Sequence, residues 1–152
     1  MNPEDIITAL GLTLPPPAAP GGNYLPVNIR GNIAYVSIQF PKRGTEFLYK
    51  GRLGQELNTA EGFKATELAA LNVLAQLKEF VGFENLVGLN HMDAYFQASG
   101  DWDESPVVVN GASDLFVKVL GEKGVHSRSI FGVDRLPKNF SVGICCSFTL
   151  SR

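Results

Sequence analysis

One amphipathic run near the middle of the chain most constrains the fold. Asn58 and Glu61 have the spacing of a helix capping box, and Gly82 marks a helix end. Between them, apolar residues recur at steps of seven, four, three and four: Phe63, Ala70, Leu74, Leu77 and Val81. Other residues fall off this stripe: Lys64, Asn72, Gln76 and Glu79. The pattern predicts a helix whose apolar face must pack against another layer.

Strand-like periodicity before this helix supplies that layer. The run 32–40 is rich in β-branched and aromatic residues. As a strand, it places one set of side chains on one face (Ile33, Tyr35 and Ser37) and a second set on the other (Ala34, Val36 and Ile38). Residues 24–29 predict a partner strand, at an edge because of Pro26. Residues 47–50 predict a short third strand.

The second half of the chain alternates strand and helix patterns. Residues 86–98 predict a strand, and Ser105-Pro106 opens a helix with Ser105 as N-cap that ends at Gly121. Residues 125–133 and 140–150 predict two final strands. This order indicates an α+β fold, in which one sheet carries both helices on a single face.

The chain is expected to form one domain over residues 1–152, because 152 residues suit a single core. Ile6, Ile7 and Leu10 indicate a short helix within residues 3–12, and a connector rich in proline and glycine follows to Gly22. Residues 1–22 therefore read as an N-terminal helix and a connector. The bare sheet face would meet solvent or neighbouring subunits. Only 18% of residues are charged, which favours subunits.

Charge and composition exclude several classes of function. The net charge of -2 and the lack of a basic cluster argue against nucleic-acid binding. The longest uncharged stretch, residues 6–29, is broken by prolines and glycines, so no membrane helix is expected. The acidic first residues favour a cytoplasmic protein. Cys145 and Cys146 are adjacent and predict reduced thiols on opposite strand faces. His91 and His126 lack partners at ligand spacing, so no metal is expected.

Arg128 is the candidate site residue on physical grounds. No phosphate-binding glycine loop, nucleophile elbow or metal-ligand cluster is present in the sequence. Arg128 lies in a strand-like segment of small and apolar residues. It is either a solvated edge charge or a planar fork that can bind a carboxylate or phosphate.

Several short motifs, in this order, resemble the reactive intermediate deaminase family (the YjgF/RidA superfamily). They are Gly22-Asn23-Tyr24, Ser37-Ile38-Gln39, Val109-Asn110-Gly111-Ala112, and His126-Ser127-Arg128-Ser129 followed by Leu136-Pro137. The resemblance runs from about Leu12 to the C-terminus. The proline-rich opening is similar to a longer-chain branch of the superfamily.

This resemblance implies a chorismate-mutase-like fold assembled as a homotrimer, with clefts between subunits and no cofactor. It places Arg128 where the family binds the substrate carboxylate. Tyr24, Ser37 and Asn110 match residues that line the cleft, and Ile130 matches the residue whose carbonyl faces the substrate nitrogen or the attacking water. The implied activity is hydrolysis of enamines and imines of small carboxylate metabolites.

Two departures bear on that activity. Gly143 and Cys145 occupy the positions of a Glu-x-Glu stretch in the last strand of the family's deaminases, and Gly143 replaces the glutamate that reaches the cleft. Neither residue can replace a carboxylate in orienting water. Ile38 replaces a glycine and narrows the cleft. Gly143 either relieves crowding or marks a bulge, and Cys145 can be plain strand packing.

Two hypotheses follow for function. One is an enamine/imine deaminase-type hydrolase. The other is a non-catalytic trimer that binds a small carboxylate metabolite in the same clefts, and Gly143 favours it. Ribonuclease activity, which the resemblance also suggests, is disfavoured by the acidic charge balance. Tyr24 can also be a core or interface aromatic, and Ser37 and Asn110 can satisfy nearby backbone groups.

Overall fold

A computed structural model describes residues 1–151. The elements, in chain order, are α1 (Pro3–Ala9), β1 (Val27–Arg30), β2 (Ile33–Gln39), β3 (Lys42–Arg43), β4 (Glu46–Phe47), α2 (Thr59–Phe80), β5 (Leu86–Phe96), α3 (Ser105–Leu120), β6 (Ser127–Gly132) and β7 (Val142–Leu150). Short 3-10 turns lie at Phe83–Asn85, Gly121–Gly124 and Pro137–Asn139. Within residues 1–151, no helix is long and apolar enough to cross a membrane.

The main sheet has five strands in the order β1-β2-β7-β5-β6. β5 and β6 pair in parallel, and the other neighbouring strands pair antiparallel. The two edges are therefore β1 and β6. β3 and β4 form a separate two-stranded hairpin.

Both long helices pack on one face of this sheet, where the largest buried side chains meet. Met92, Ile144 and Phe148 point from the sheet into a core that includes Leu74 of α2 and Phe116 of α3. The Phe116 and Phe148 rings pack edge to face at 6.4 Å. The predicted α+β class, with two helices on one face of a mixed sheet, is confirmed.

The predicted capping box at the start of α2 is confirmed. The Asn58 side chain accepts from the Glu61 amide at 2.8 Å, and the Glu61 carboxylate accepts from the Asn58 amide at 2.9 Å. The predicted polar face of this helix is wrong at Asn72 and Gln76, which are almost fully buried. The connector and the β2–β3 segment cover that side of the helix and supply carbonyl acceptors for both amides.

The predicted N-cap of α3 is also wrong. Ser105 is the first helical residue and Glu104 takes the cap position, where its side chain makes no cap hydrogen bond. The Glu104 carboxylate instead accepts from the Thr59 hydroxyl at the start of α2. A contact between the starts of α2 and α3 therefore replaces a side-chain cap at the start of α3.

A bulge in β2 overturns the predicted face of Ile38. Val36 pairs with Cys146 and Gln39 with Ile144, so three steps along β2 match two along β7. Gln39 therefore joins Val36 on the buried face. Ile38 turns to the open face with Ser37.

Several strand limits differ from the predicted ones. β1 begins only at Val27, so Tyr24 precedes the strand. The third strand is the two-residue β4, and Tyr49 (φ 53°) leaves extended geometry. The last strand begins at Val142, because Lys138 and Asn139 adopt left-handed conformations. The strands at 86–98 and 125–133 are shortened to Leu86–Phe96 and Ser127–Gly132.

Candidate functional site

Helix α3 holds the Arg128 side chain in place at the edge of the sheet. Arg128 Nη1 donates to Asn110 Oδ1 at 2.8 Å and to Ser113 Oγ at 3.1 Å, and Nη2 donates to the Pro106 carbonyl at 3.4 Å. Arg128 is half-buried. Of its two interpretations, the structure matches the positioned fork rather than a charge that moves freely in solvent.

The positive charge on Arg128 has no acidic partner among residues 1–151. Within residues 1–151, no carboxylate lies within 4.0 Å of its guanidinium, and the three groups that accept from it are neutral. A guanidinium stays protonated at any physiological pH. The site is therefore an uncompensated, oriented cation suited to an anion.

Ile130 lies two residues from Arg128 on the same edge strand. The Val133 amide donates to the Phe96 carbonyl of β5. Peptide groups alternate between the two edges of a strand, so the Ile130 carbonyl faces away from β5. β6 is the last strand of the sheet. Arg128, Asn110 and Ile130 thus form one group of polar atoms at a free sheet edge, which we call the arginine half-site.

Tyr24 and Ser37 lie towards the other edge of the sheet. Ser37 Oγ donates to the Leu25 carbonyl at 2.7 Å, so its hydroxyl does satisfy a backbone group. Tyr24 is about half exposed and accepts from the Gly21 amide at 3.0 Å. It is therefore not a core aromatic. Tyr24, Ser37 and Ile38 line a cavity of about 570 Å³ on the open sheet face, and we call these three residues the tyrosine half-site.

Gly143 lies beneath this half-site. It is buried, and a Cβ atom there would come within 2.8 Å of both Ile38 Cδ1 and Phe40 Cε1. Of the two alternatives, relief of crowding is the one the structure supports. Gly143 therefore shapes the site by admitting Ile38, and its own surface is covered.

The two half-sites are too far apart to act together within one chain. Arg128 lies on β6 and Ser37 on β2, with β5 and β7 between these strands. Three strand spacings give a separation of about 14 Å between the strand axes. The Arg128 side chain also turns towards α3, on the opposite side of the sheet from the 570 Å³ cavity.

A polar cluster on the open face was not predicted from the sequence. His91 Nε2 lies 3.0 Å from Asp93 Oδ1, and His91 Nδ1 lies 2.7 Å from Ser127 Oγ. His91 and Asp93 line the same cavity as Ser37. The sequence did contain a signal for this cluster: His91 and Asp93 are two residues apart on one predicted strand, and this spacing puts both side chains on the same face.

The two cysteines are free and lie in different environments. Burial, with a smaller contribution from the Asp93 carboxylate, raises the pKa of the Cys145 thiol. Cys145 is therefore a neutral thiol at neutral pH, and it is not an activated nucleophile. Among residues 1–151, no three His, Cys, Asp or Glu side chains are grouped so that they could hold a metal ion.

Ser113 is the other site residue that the sequence did not reveal. Its hydroxyl contacts both Arg128 and His126, at 3.1 and 3.0 Å. Ser113 follows Asn110 by one helical turn, so the two share a helix face. That spacing could have identified Ser113. His126 packs edge to face against Phe116.

Comparison with known proteins identifies the family of this chain. Residues 4–150 match the family model described as "YjgF/chorismate mutase-like, putative endoribonuclease". "Protein TCP17" of Trypanosoma cruzi is 34% identical over 137 residues, which are 89% of this chain and 86% of that protein.

Solved structures agree with this match. The crystal structure of a "putative endoribonuclease" from Shewanella oneidensis MR-1 is 35% identical with a TM-score of 0.95, covering 99% of this chain and 100% of that one. Protein Atu1372 of Agrobacterium tumefaciens, described as of unknown function, is 34% identical with a TM-score of 0.90, covering 99% and 92%.

Escherichia coli TdcF with bound serine shares the fold at 20% identity, with a TM-score of 0.64 and 90% and 94% of the two chains covered. The predicted chorismate-mutase-like fold is therefore confirmed. The chain belongs to the YjgF/RidA superfamily.

Proposed function

We propose that this protein binds a small carboxylate metabolite between two copies of the chain, with Arg128 of one copy facing Tyr24 and Ser37 of the next. The observation that carries this proposal is the separation of the half-sites. Arg128 is held in place at a sheet edge with no acidic partner among residues 1–151, and the cavity with Tyr24 and Ser37 lies about 14 Å away. A second copy of the chain can place its tyrosine half-site against the arginine half-site of the first copy.

The chemistry of the arginine half-site favours a carboxylate. Asn110 and Ser113 occupy Nη1 and fix the plane of the guanidinium. Nη2 has only a 3.4 Å contact, and within residues 1–151 Nε donates to no acceptor. A carboxylate can accept from Nε and Nη2 in the bidentate geometry that arginine favours. Because the fork is preorganised, little side-chain entropy is lost on binding.

A homotrimer is the assembly that we propose for these copies. A ring of identical subunits in which each supplies a different half-site needs a head-to-tail contact, and a trimer is a small closed form of such a ring. The open sheet face gives the contact an apolar part, because Tyr35 is 52% exposed there. The low charge content of the chain agrees with a covered surface.

An enamine/imine deaminase is the second candidate, and one observation favours it. The Asp93 carboxylate and the His91 imidazole line the same cavity as Ser37 and Tyr24. They offer polar groups that could orient water even though Gly143 carries no carboxylate. In that reaction an enamine tautomerises to an imine, and water adds to the imine carbon. Loss of ammonia from this adduct then gives a 2-oxo acid. TdcF, which shares the fold, is described with bound serine, a small amino acid with a carboxylate.

Calorimetric titration with propionate and 2-oxobutanoate tests the site. Arg128→Ala should weaken binding by at least about 100-fold, because charge-assisted hydrogen bonds are lost. Arg135→Ala is the matched control, since Arg135 is largely exposed and should leave affinity unchanged. Unchanged affinity in Arg128→Ala, with the native fold retained, would exclude this residue as the anchor.

Complementation tests whether two copies share the site. Arg128→Ala and Tyr24→Ala chains should each bind poorly, whereas co-refolded mixtures should regain about a quarter of the sites, because random mixing pairs intact halves. Light scattering should give the mass of three chains. No regain of binding in the mixtures would contradict a shared site.

An activity assay separates the two candidate functions. Loss of 2-aminoacrylate that is faster than in buffer would select the deaminase, and binding without acceleration would select the non-catalytic alternative.

A further inference from the structure

A second, smaller cavity opens beside the tyrosine half-site. It has a volume of about 400 Å³ and shares Tyr24 and Ile38 with the larger cavity. Its remaining walls come from the connector at residues 18–21, Pro26, residues 39–40 at the end of β2, the β3–β4 hairpin and the turn at residues 137–140. A volume of this size is within the range of small-molecule sites. We call this cavity the side pocket.

The side pocket is lined mainly by apolar and aromatic groups. The Phe40 and Phe140 rings stack with centroids 4.7 Å apart, and the Phe47 ring lies 5.1 Å from Phe140 at a tilt of 52°. Phe47 is 38% exposed, so part of this aromatic surface is uncovered in the single chain. An inserted ring would find stacked and edge-on partners, the two arrangements that aromatic pairs prefer.

The two charged side chains that line the pocket are both positive. Lys42 and Lys138 line it, and none of its lining residues is an Asp or Glu. Lys42 Nζ already lies 5.5 Å from the Phe47 ring centroid, a cation–π distance. An electron-rich ring would gain from these ammonium groups, and an aliphatic chain would not.

Two buried amides of α2 hold the walls apart. Asn72 Nδ2 donates to the Phe40 and Lys42 carbonyls at 2.9 and 2.8 Å. Gln76 Nε2, one turn later, donates to the Ala18 carbonyl at 2.8 Å. Both side chains are almost fully buried, so these bonds do not compete with water. The pocket is therefore preformed, which lowers the entropy lost on binding.

Ile38 and Gly143 make the entrance apolar. Ile38 lies where the two cavities meet, and it occupies the space that a side chain at position 143 would need. A ligand that extends from Ser37 into the side pocket therefore contacts the aliphatic side chain of Ile38 and meets no carboxylate at position 143.

We propose that the side pocket takes the side chain of the bound carboxylate and that this side chain is aromatic. The inference rests on the proposed function for the carboxylate end of the ligand. The substrate class is then an aryl-substituted carboxylate, such as an aromatic 2-oxo acid or its imine.

Calorimetry with propionate and 3-phenylpropionate tests this inference, because the two probes differ by one phenyl group. Burial of a ring predicts that 3-phenylpropionate binds at least about tenfold more tightly. Phe47→Ala should remove this advantage and leave the affinity for propionate unchanged. Phe80→Ala, a half-exposed phenylalanine at the end of α2 and outside every wall of the pocket, is the matched control and should retain the advantage.

Each contrary result has a separate meaning. Equal affinities for the two probes in the unmodified protein, or an advantage that survives Phe47→Ala, would overturn the aromatic assignment and leave the carboxylate site intact. Unchanged binding of both probes by Arg128→Ala would instead overturn the proposed function. If neither probe binds the unmodified protein, both proposals are wrong.

Discussion

The two faces of the central sheet have different roles, and Cys145 and Cys146 show the contrast within one dipeptide. Cys146 points into the core beneath the helices, whereas Cys145 lies on the open face beside Asp93. Away from the edge strand β6, where Arg128 contacts α3, the helix-covered face is sealed and mostly apolar. The open face carries Tyr35, His91 and Asp93 and borders both cavities. The centre of the first face determines the fold, whereas the open face and the sheet edge that carries Arg128 are free to vary for binding and assembly.

Truncation of a large side chain on each face should give the largest difference. Phe148→Ala should lower the free energy of unfolding by about 3–5 kcal/mol, because it leaves a cavity in a fully buried core. Tyr35→Ala, on the neighbouring strand and the other face, should cost less than about 1 kcal/mol in the isolated chain. Urea unfolding at several protein concentrations measures both changes.

Concentration distinguishes the two losses further. A second copy on the open face would make the Tyr35→Ala effect depend on protein concentration, and the Phe148→Ala effect would not share that dependence. Equal losses in the two variants at every concentration would refute the division of roles between the faces.

The sealed face could be predicted from the sequence because local patterns determine it. The Asn58–Glu61 capping box and the alternation of Ala34 and Val36 with Tyr35 are local signals, and both agree with the structure. The burial of Asn72 and Gln76 could not be predicted, because their partners lie far away in sequence and helical periodicity contains no information about them. The bulge that turns Ile38 outward likewise depends on pairing with β7.

The candidate site was predictable only in its residue identities. Arg128 was named on physical grounds and Asn110 from the family resemblance, but their 2.8 Å contact joins a strand to a helix 18 residues earlier. Ser113 and Asp93 had no signal beyond the face on which their spacing places them, and the side pocket had none. Their roles depend on which segments the fold brings together, and periodicity does not specify this.

A glutamate introduced at position 143 should show how strongly Ile38 and Gly143 depend on each other. Gly143→Glu alone should lower the free energy of unfolding by about 1–3 kcal/mol, because its side chain would collide with Ile38 and Phe40. Ile38→Gly in the same chain removes one of these neighbours. The two substitutions should therefore be coupled by about 0.5–3 kcal/mol in a double-mutant cycle of urea unfolding.

Additivity of these two substitutions would contradict the crowding explanation for Gly143. The double variant also tests the second candidate function. If it gains activity on 2-aminoacrylate that the unmodified protein lacks, the missing carboxylate is the reason for the loss. Val87→Glu, at an exposed position of β5 that lines neither cavity, is a control for added negative charge.

The smallest expected difference is in the pH dependence of stability. Burial, with smaller contributions from Cys145 and Asp93, raises the pKa of the Cys146 thiol well above its usual range. The folded chain therefore holds this proton where the unfolded chain, with a thiol pKa of about 8.5, has released it. The stabilisation is complete below pH 8.5 and is lost as pH rises from there towards the folded pKa. Between pH 7.5 and 9.5 the loss should reach about 1 kcal/mol.

Cysteine variants separate this contribution from other groups that titrate in alkali. Urea midpoints at the two pH values should differ less in Cys146→Ala than in the unmodified protein, because the alanine variant lacks the fully buried thiol. Cys145→Ala should keep most of the difference, since Cys145 is only partly buried. An equal change in both variants would mean that the two faces offer the thiols similar environments. The contrast between the sealed and open faces would then not extend to their electrostatics.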